Sequence, residues 1–184
     1  ILDNSNERVM TGAANFVSLG SLVISDGGVI STGGTIKFSG GGQLSGTGEL
    51  DVSGSTWGLG EDFKKTGGTL TDNQTNLALS GNSKLTSNVA LSFDNLTLND
   101  FTLTLGSSDS DLTVQNAITI DTSTEGISTG EADLILNSAL TMSNGLLEST
   151  GGEIRLAHDQ TSKFSGNAFM MLDETLLTSD DGIG

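Results

Sequence analysis

The chain has 184 residues with 26 Gly, no Pro and no Cys, and its side chains are 34% hydrophobic and only 4% aromatic, one domain's length with too few apolar groups for a thick globular core. A formal net charge of −16, with seven Lys and Arg in all, argues against a nucleic-acid or anionic-membrane surface, because both are bound through basic side chains. No apolar run approaches the roughly 18 residues of a membrane span, and no basic, then apolar, signal-peptide pattern opens the chain.

Apolar residues recur regularly from the start, which separates this chain from a disordered one. From Ser21 to Gly34 it reads SLVISDGGVISTGG, and from Thr35 to Gly48 TIKFSGGGQLSGTG. The two blocks match at Leu22/Ile36, Ile24/Phe38, Ser25/Ser39, Gly27/Gly41, Gly28/Gly42, Ile30/Leu44, Ser31/Ser45 and Gly34/Gly48. A third copy begins at Glu49 and breaks up near Ser55. Residues 55–65, with the lone Trp57 and with Gly58, Gly60, Glu61, Asp62 and Phe63, read as a loop leaving the repeat. Beyond it the apolar–x–apolar triplets return: Leu77-Ala78-Leu79, Leu91-Ser92-Phe93, Leu103-Thr104-Leu105, Leu112-Thr113-Val114, Ile118-Thr119-Ile120, Leu134-Ile135-Leu136 and Ile154-Arg155-Leu156. Period two places the outer residues of each triplet on one side of a short strand. Ala139 to Gly152 repeats the block once more, and residues 167–184 read as a cap or a truncated last coil.

Glycine, Asn, Asp and Ser punctuate the strands. The corner Thr-Gly-Gly appears at Thr32-Gly33-Gly34, Thr66-Gly67-Gly68 and Thr150-Gly151-Gly152, and Gly27-Gly28 and Gly41-Gly42 form further turn pairs. Such strands cannot bury an apolar face alone, but stacked on copies of themselves they can. The 14-residue block is two faces of a coil, so a three-faced coil takes roughly 20–22 residues. The fold expected is therefore all-β, a right-handed parallel β-helix of about eight or nine coils, single and forming a segment of a longer protein.

The side chains that could carry chemistry are few. Acidic turns hold Asp109 and Asp111, Asp121 and Glu125, Glu131 and Asp133, Asp173 and Glu174, and Asp180 and Asp181. Calcium is bound by such clustered oxygens, which makes Asp109, Asp111, Glu131 and Asp133 candidate ligands; the alternative is a solvated acidic surface. Thr97, Thr102, Thr104, Thr113 and Thr119 would form an ice-ordering array only if they stacked in coil after coil, and Thr is in any case a good strand residue. Trp57 and Phe63 are candidate contacts for a sugar or a partner, or else a cover over the core. His158 is the lone His and Arg8 and Arg155 the two Arg, and no nucleophile elbow, phosphate loop, metal-ligand spacing or triad accompanies them, so no enzyme is expected and no cofactor other than calcium is a candidate.

The Gly/Ser/Thr/Asn-rich coils, triplets such as Ile36-Lys37-Phe38-Ser39-Gly40 and the lack of Cys resemble, from about Val9 to Leu156, the β-helical stalk of large bacterial secreted adhesins, the passenger regions of autotransporters and filamentous-haemagglutinin-like proteins. That resemblance implies an extracellular or cell-surface location and a structural or adhesive fibre. Its partners would be neighbouring solenoid segments, identical subunits meeting end to end, or surface glycans, with no nucleic acid and no membrane insertion. The alternatives are a solenoid that binds glycan, calcium or ice, and a polysaccharide-degrading β-helix.

Overall fold

A computed structural model describes residues 1–156, 161–174 and 176–179. Twenty-five strands, most of three or four residues, follow one another with no helix among the described residues. The chain visits a first, a second and a third face in fixed order and then starts again, making about eight turns of a β-solenoid. All strand pairs are parallel and join one turn to the next.

Each face sends alternate side chains inward, where they stack in columns from turn to turn. On the first face Val9, Val29, Leu50 and Leu70 stack, then Leu91, Leu112, Leu134, Ile154 and Leu177. The second carries Phe16, Ile36, Trp57, Leu77 and Leu96, then Ile118 over Leu140. The third carries Leu22, Gly42, Phe63, Leu85 and Leu105, and beside it Leu103, Ile127, Leu147 and Met170. Turn length runs from 19 residues (Leu77 to Leu96) to 24 (Leu103 to Ile127), bracketing the expected coil. Thirty-three hydrophobic side chains merge into one core along the axis. Burying each contributes about 1.5–3 kcal/mol, and only the stack makes that burial available.

Third-face strands form one unbroken eight-stranded sheet. The other two faces are interrupted in consecutive turns: pairing lapses between the strands at 69–71 and 91–93 on the first face, and between those at 95–97 and 118–120 on the second. At the first lapse the Ser92 N–H donates to Asp72 Oδ2 at 3.0 Å, so a side chain replaces the missing carbonyl.

The tandem block straddles faces. Leu22 lies on the third face and its sequence match Ile36 on the second; Leu22 stacks on Gly42 and Ile36 on Trp57. Residues 55–65 are not an excursion. They supply the strands Thr56–Leu59 and Phe63–Lys65, paired on both sides like any other. Trp57-x-Leu59 and Phe63-x-Lys65 keep the period of two, and the polar residues between them turn a corner. The tail continues the stack through strands at Phe169–Leu172 and Leu176–Ser179, so through residue 179 it is a further coil rather than a cap.

Candidate functional site

Trp57 and Phe63, the candidate partner contacts, are fully interior, at 0% and 1% exposure. They meet at 4.8 Å between centroids with perpendicular rings, and Phe38 lies 6.2 Å from Trp57 and 5.8 Å from Phe63. Phe93 extends the cluster at 6.0 Å from Trp57. Such pairs add about 0.5–1.5 kcal/mol each beyond burial. Gly42 makes room for them: a Cβ there would lie 3.0 Å from Phe63 Cδ2 and 3.3 Å from Phe38 Cδ2. The indole Nε1 of Trp57 is buried with no hydrogen-bond partner among the described residues, which costs stability.

The glycines divide by role. In the three Thr-Gly-Gly corners the second glycine is left-handed, with φ of 75° at Gly34, 67° at Gly68 and 73° at Gly152. A Cβ at Gly34 would meet Ala13 O at 2.6 Å and one at Gly152 would meet Glu131 O at 2.7 Å, so both the φ and the backbone of the turn above require glycine. Gly67 and Gly151 precede theirs without a positive φ, Gly33 precedes Gly34 at a φ of 159°, and Gly41 is a further left-handed corner. Gly28 and Gly42 are strand residues rather than turn residues, and Gly27 lies against Glu7 O. The corners do not share one edge: Gly33-Gly34 joins the first face to the second, whereas Gly67-Gly68 and Gly151-Gly152 join the third to the first.

Two of the four acidic candidates, Asp111 and Asp133, are structural ties. Asp111 Oδ1 accepts the Asp133 N–H at 2.9 Å, and Asp133 Oδ1 accepts the Glu153 N–H at 2.6 Å, forming a ladder up the edge of the first face. Glu125 folds back into its own corner, where Oε2 accepts the Asp121 N–H at 2.9 Å. Asp109, Glu131, Asp121, Asp173 and Glu174 are exposed. Among the described residues no three His, Cys, Asp or Glu are grouped to hold a metal ion, whereas calcium takes six to eight oxygens. His158, Asp180 and Asp181 lie outside the described residues.

The threonines do not align. Thr104 stacks between Lys84 and Ser128, Thr113 between Ser92 and Ile135, Thr97 on Ala78 and Thr102 on Gly126; only Thr119 meets another, Thr141, in the next turn. Arg8 pairs with Glu49 at 2.7 Å on an exposed edge.

Two polar systems were not anticipated. Asn15, Asp62 and Asn82 each accept through Oδ1 a backbone N–H from the following turn, at Thr35, Lys84 and Thr102, all at 2.9 Å. Together with Asp72, Asp111 and Asp133 they form side-chain brackets, whose trace in the sequence is an Asx a turn's length ahead of a strand. A second set is interior: Ser55 Oγ donates to Ser31 Oγ at 2.9 Å, Thr75 Oγ1 donates to Val52 O at 2.8 Å, and Ser149 reaches Gly130 O and Gly151 O. Lys65 occupies the core column after Leu44, 6% exposed, and its ammonium donates to Asn88 Oδ1 at 2.9 Å.

The concavities of the rod include two lined by described residues. A shallow polar groove of about 470 Å³ crosses the third face between Ser21, Gln43, Glu61, Asp62, Lys64 and Asn82. An apolar hollow of about 300 Å³ lies at the C-terminal end of the core, lined by Leu140, Leu147, Ile154, Phe164, Met170 and Leu177 among others. Burial raises the Asp72 carboxyl above the usual carboxylate range, against the lowering effect of the N–H groups it accepts.

No known protein family, characterised protein or solved structure matches this chain. The class defined by the fold is the β-solenoid repeat protein.

Proposed function

We propose that this chain is a non-catalytic spacer segment of a repetitive secreted or cell-surface fibre, of the kind used by bacterial adhesin stalks. The observation that carries this reading is the unbroken third-face sheet, which makes the chain a rod along its whole described length. The brackets, the Ser55–Ser31 bond and the left-handed corners at Gly34, Gly68 and Gly152 serve the contact between turns. The groups suited to chemistry are taken up in that contact or scattered along the edges. In a fibre, the acidic surface keeps a long repetitive protein soluble.

Small-angle scattering of the full chain tests the rod: about eight turns at roughly 4.8 Å each give an axis of about 40 Å, and duplicating one turn should lengthen it by one strand spacing. Polysaccharide incubation tests the absence of catalysis. Release of new sugar ends, abolished by Glu61→Gln or Asp62→Asn, would replace the spacer with an enzyme.

A second reading rests on the third-face groove. Its carboxylates, amides and Lys64 ammonium are groups that hydrogen-bond a sugar, so surface glycans are the ligand class it would take. A glycan array compared between the parent chain and Gln43→Ala/Lys64→Ala decides it. Unchanged binding in the variant, or none in either, removes that reading.

A further inference from the structure

An asparagine carries its own electrophile, a side-chain carbonyl carbon within reach of the next residue's backbone nitrogen. Any side chain on that next residue hinders ring closure between the two. Of the thirteen asparagines in the chain, only Asn144 is followed by glycine. The pair lies in the corner 143–145, between the second-face strand Leu140–Met142 and the third-face strand Leu146–Ser149. Gly145 is left-handed there, at a φ of 74°.

Hydrogen bonding sets this corner apart. Asn144 Nδ2 donates to Asp121 O of the preceding turn at 3.1 Å, which holds the side-chain amide at the corner. Among the described residues no group accepts the Gly145 N–H, so the attacking nitrogen is not tied to a neighbouring turn. Asp26-Gly27 has the same steric freedom, but its Gly27 N–H donates to Leu2 O at 3.4 Å. Asn144 is only half-buried, so water reaches it.

We propose that Asn144 is a self-modification site, where the chain converts its own asparagine to aspartate and isoaspartate. The Gly145 nitrogen attacks Asn144 Cγ and forms the N–Cγ bond of a succinimide ring. The Cγ–Nδ2 bond breaks, and Nδ2 leaves as ammonia with the proton of the Gly145 nitrogen. Water then opens the ring. Hydrolysis at Cγ leaves aspartate, and hydrolysis at the main-chain carbonyl leaves isoaspartate, whose main chain runs through Cβ and Cγ. Water is the one co-reactant. The reaction needs no particular role for the rod, so it stands apart from the spacer reading.

The corner has no room for the longer chain. A Cβ at Gly145 would already lie 2.5 Å from both Glu125 O and Ile120 Cγ2, and 2.8 Å from Thr122 O. The same corner is tied on both sides: the Leu146 N–H donates to Glu125 O at 3.1 Å, and Gly145 O accepts the Phe169 N–H at 3.0 Å. The product also faces Asp121 O with an acceptor where a donor stood. It adds a carboxylate next to the corner that already holds Asp121 and Glu125. Modification therefore loosens the stack at this height, and elapsed time sets when.

Peptide mapping by mass spectrometry of the full folded chain, aged at physiological temperature and pH, reads the reaction. Asn144 should convert at least about tenfold faster than any other asparagine, and faster than Asp26 isomerises. A synthetic peptide of residues 141–148 gives the rate without the fold. Aged protein should melt about 2–4 °C below fresh protein, with faster amide exchange at Leu146 and Phe169. Asn144→Gln keeps a donor for Asp121 O but closes its ring far more slowly, and it should age without either change. If that variant loses its circular dichroism signal, Asn144→Ser replaces it. An Asn144 that stays intact in the folded chain while the peptide converts overturns the site. Conversion that leaves melting and exchange unchanged overturns the loosening.

Discussion

The two halves of the rod, before and after the lapses in the first- and second-face sheets, are built differently. The early turns hold the aromatic cluster of Phe38, Trp57 and Phe63, with a glycine beneath the Phe63 ring. The later turns stack aliphatic side chains in plain columns such as Leu112, Leu134 and Ile154. The early turns run 20 or 21 residues on the first face, whereas the later ones stretch to 24 on the third, with the extra residues held at corners by groups such as Glu125. A solenoid therefore tolerates irregular chain length at its corners as long as the inward column is kept. It tolerates large side chains where a small one lies in the adjacent turn.

The comparison is broken most directly at Trp57. Trp57→Ala should cost about 3–5 kcal/mol in chemical denaturation, and amide exchange should accelerate across the early turns while the later ones keep their protection. Equal loosening of both halves would show that the aromatic cluster is not a local anchor. Trp57→Phe should cost clearly less, since it also removes the unpartnered indole N–H.

Next in size is the corner test. Gly34→Ala and Gly152→Ala, one in each half, should each cost about 1–3 kcal/mol, because φ and the neighbouring backbone are both unfavourable to a side chain. Gly12→Ala, left-handed but with nothing near its Cβ position, should cost only about 1 kcal/mol. Similar melting temperatures for all three would show that the turns above do not constrain the corners.

The bracket of the later half gives a smaller effect. Asp133→Ala should lower stability by about 1–2 kcal/mol by orphaning the Glu153 N–H, and Asp133→Asn, which keeps an acceptor, should recover most of it. Asp109→Ala, at an exposed position, is the control expected to change nothing measurable. If calcium raised the melting temperature of the parent chain but not of Asp133→Asn, the tie would also be an ion site.

The smallest effect concerns the first lapse itself, where Asp72 accepts the Ser92 N–H. Because the folded-state pKa of Asp72 is raised, the folded protein binds its proton more readily than the unfolded chain does. Its carboxylate therefore costs stability at neutral pH, and that cost fades as pH falls through the folded pKa toward the ordinary carboxylate value near 3.8. Asp72→Asn, which keeps an oxygen for the Ser92 N–H, should melt slightly higher than the parent at pH 7, with the gap closing in acid. A gap that widened in acid would reverse the assigned cause.

Much of the fold was legible because strand and corner chemistry repeat on a short period. Alternating triplets such as Leu112-Thr113-Val114 mark strands, and Thr-Gly-Gly marks corners, so parallel coils of about the observed length follow. Register was not legible, because all three faces use the same vocabulary: Ile36 looks like the next copy of Leu22, yet it lies one face away. Residues 55–65 misled through Gly58, Gly60, Glu61 and Asp62, which are loop-like in composition. Gly58 is in fact a strand residue lying close over the Lys37 stem. The carboxylates stood as candidate ligands or a solvated acidic surface, because their spacing shows clustering but not orientation. That Asp111 and Asp133 face backbone N–H groups emerges only once the turns are stacked.

The hydrogen bonds that join one turn to the next run along the axis of the rod, and this determines how the protein yields under load. Tension applied at the two chain ends pulls on those bonds a few at a time, peeling a terminal turn instead of shearing a whole sheet. Each turn released trades about 4.8 Å of rod for about 70 Å of extended chain, taking roughly 20 residues at about 3.4 Å apiece. A stack of this kind is stiff at low force and extensible beyond it, giving way in steps whose height is set by the turn at the tip.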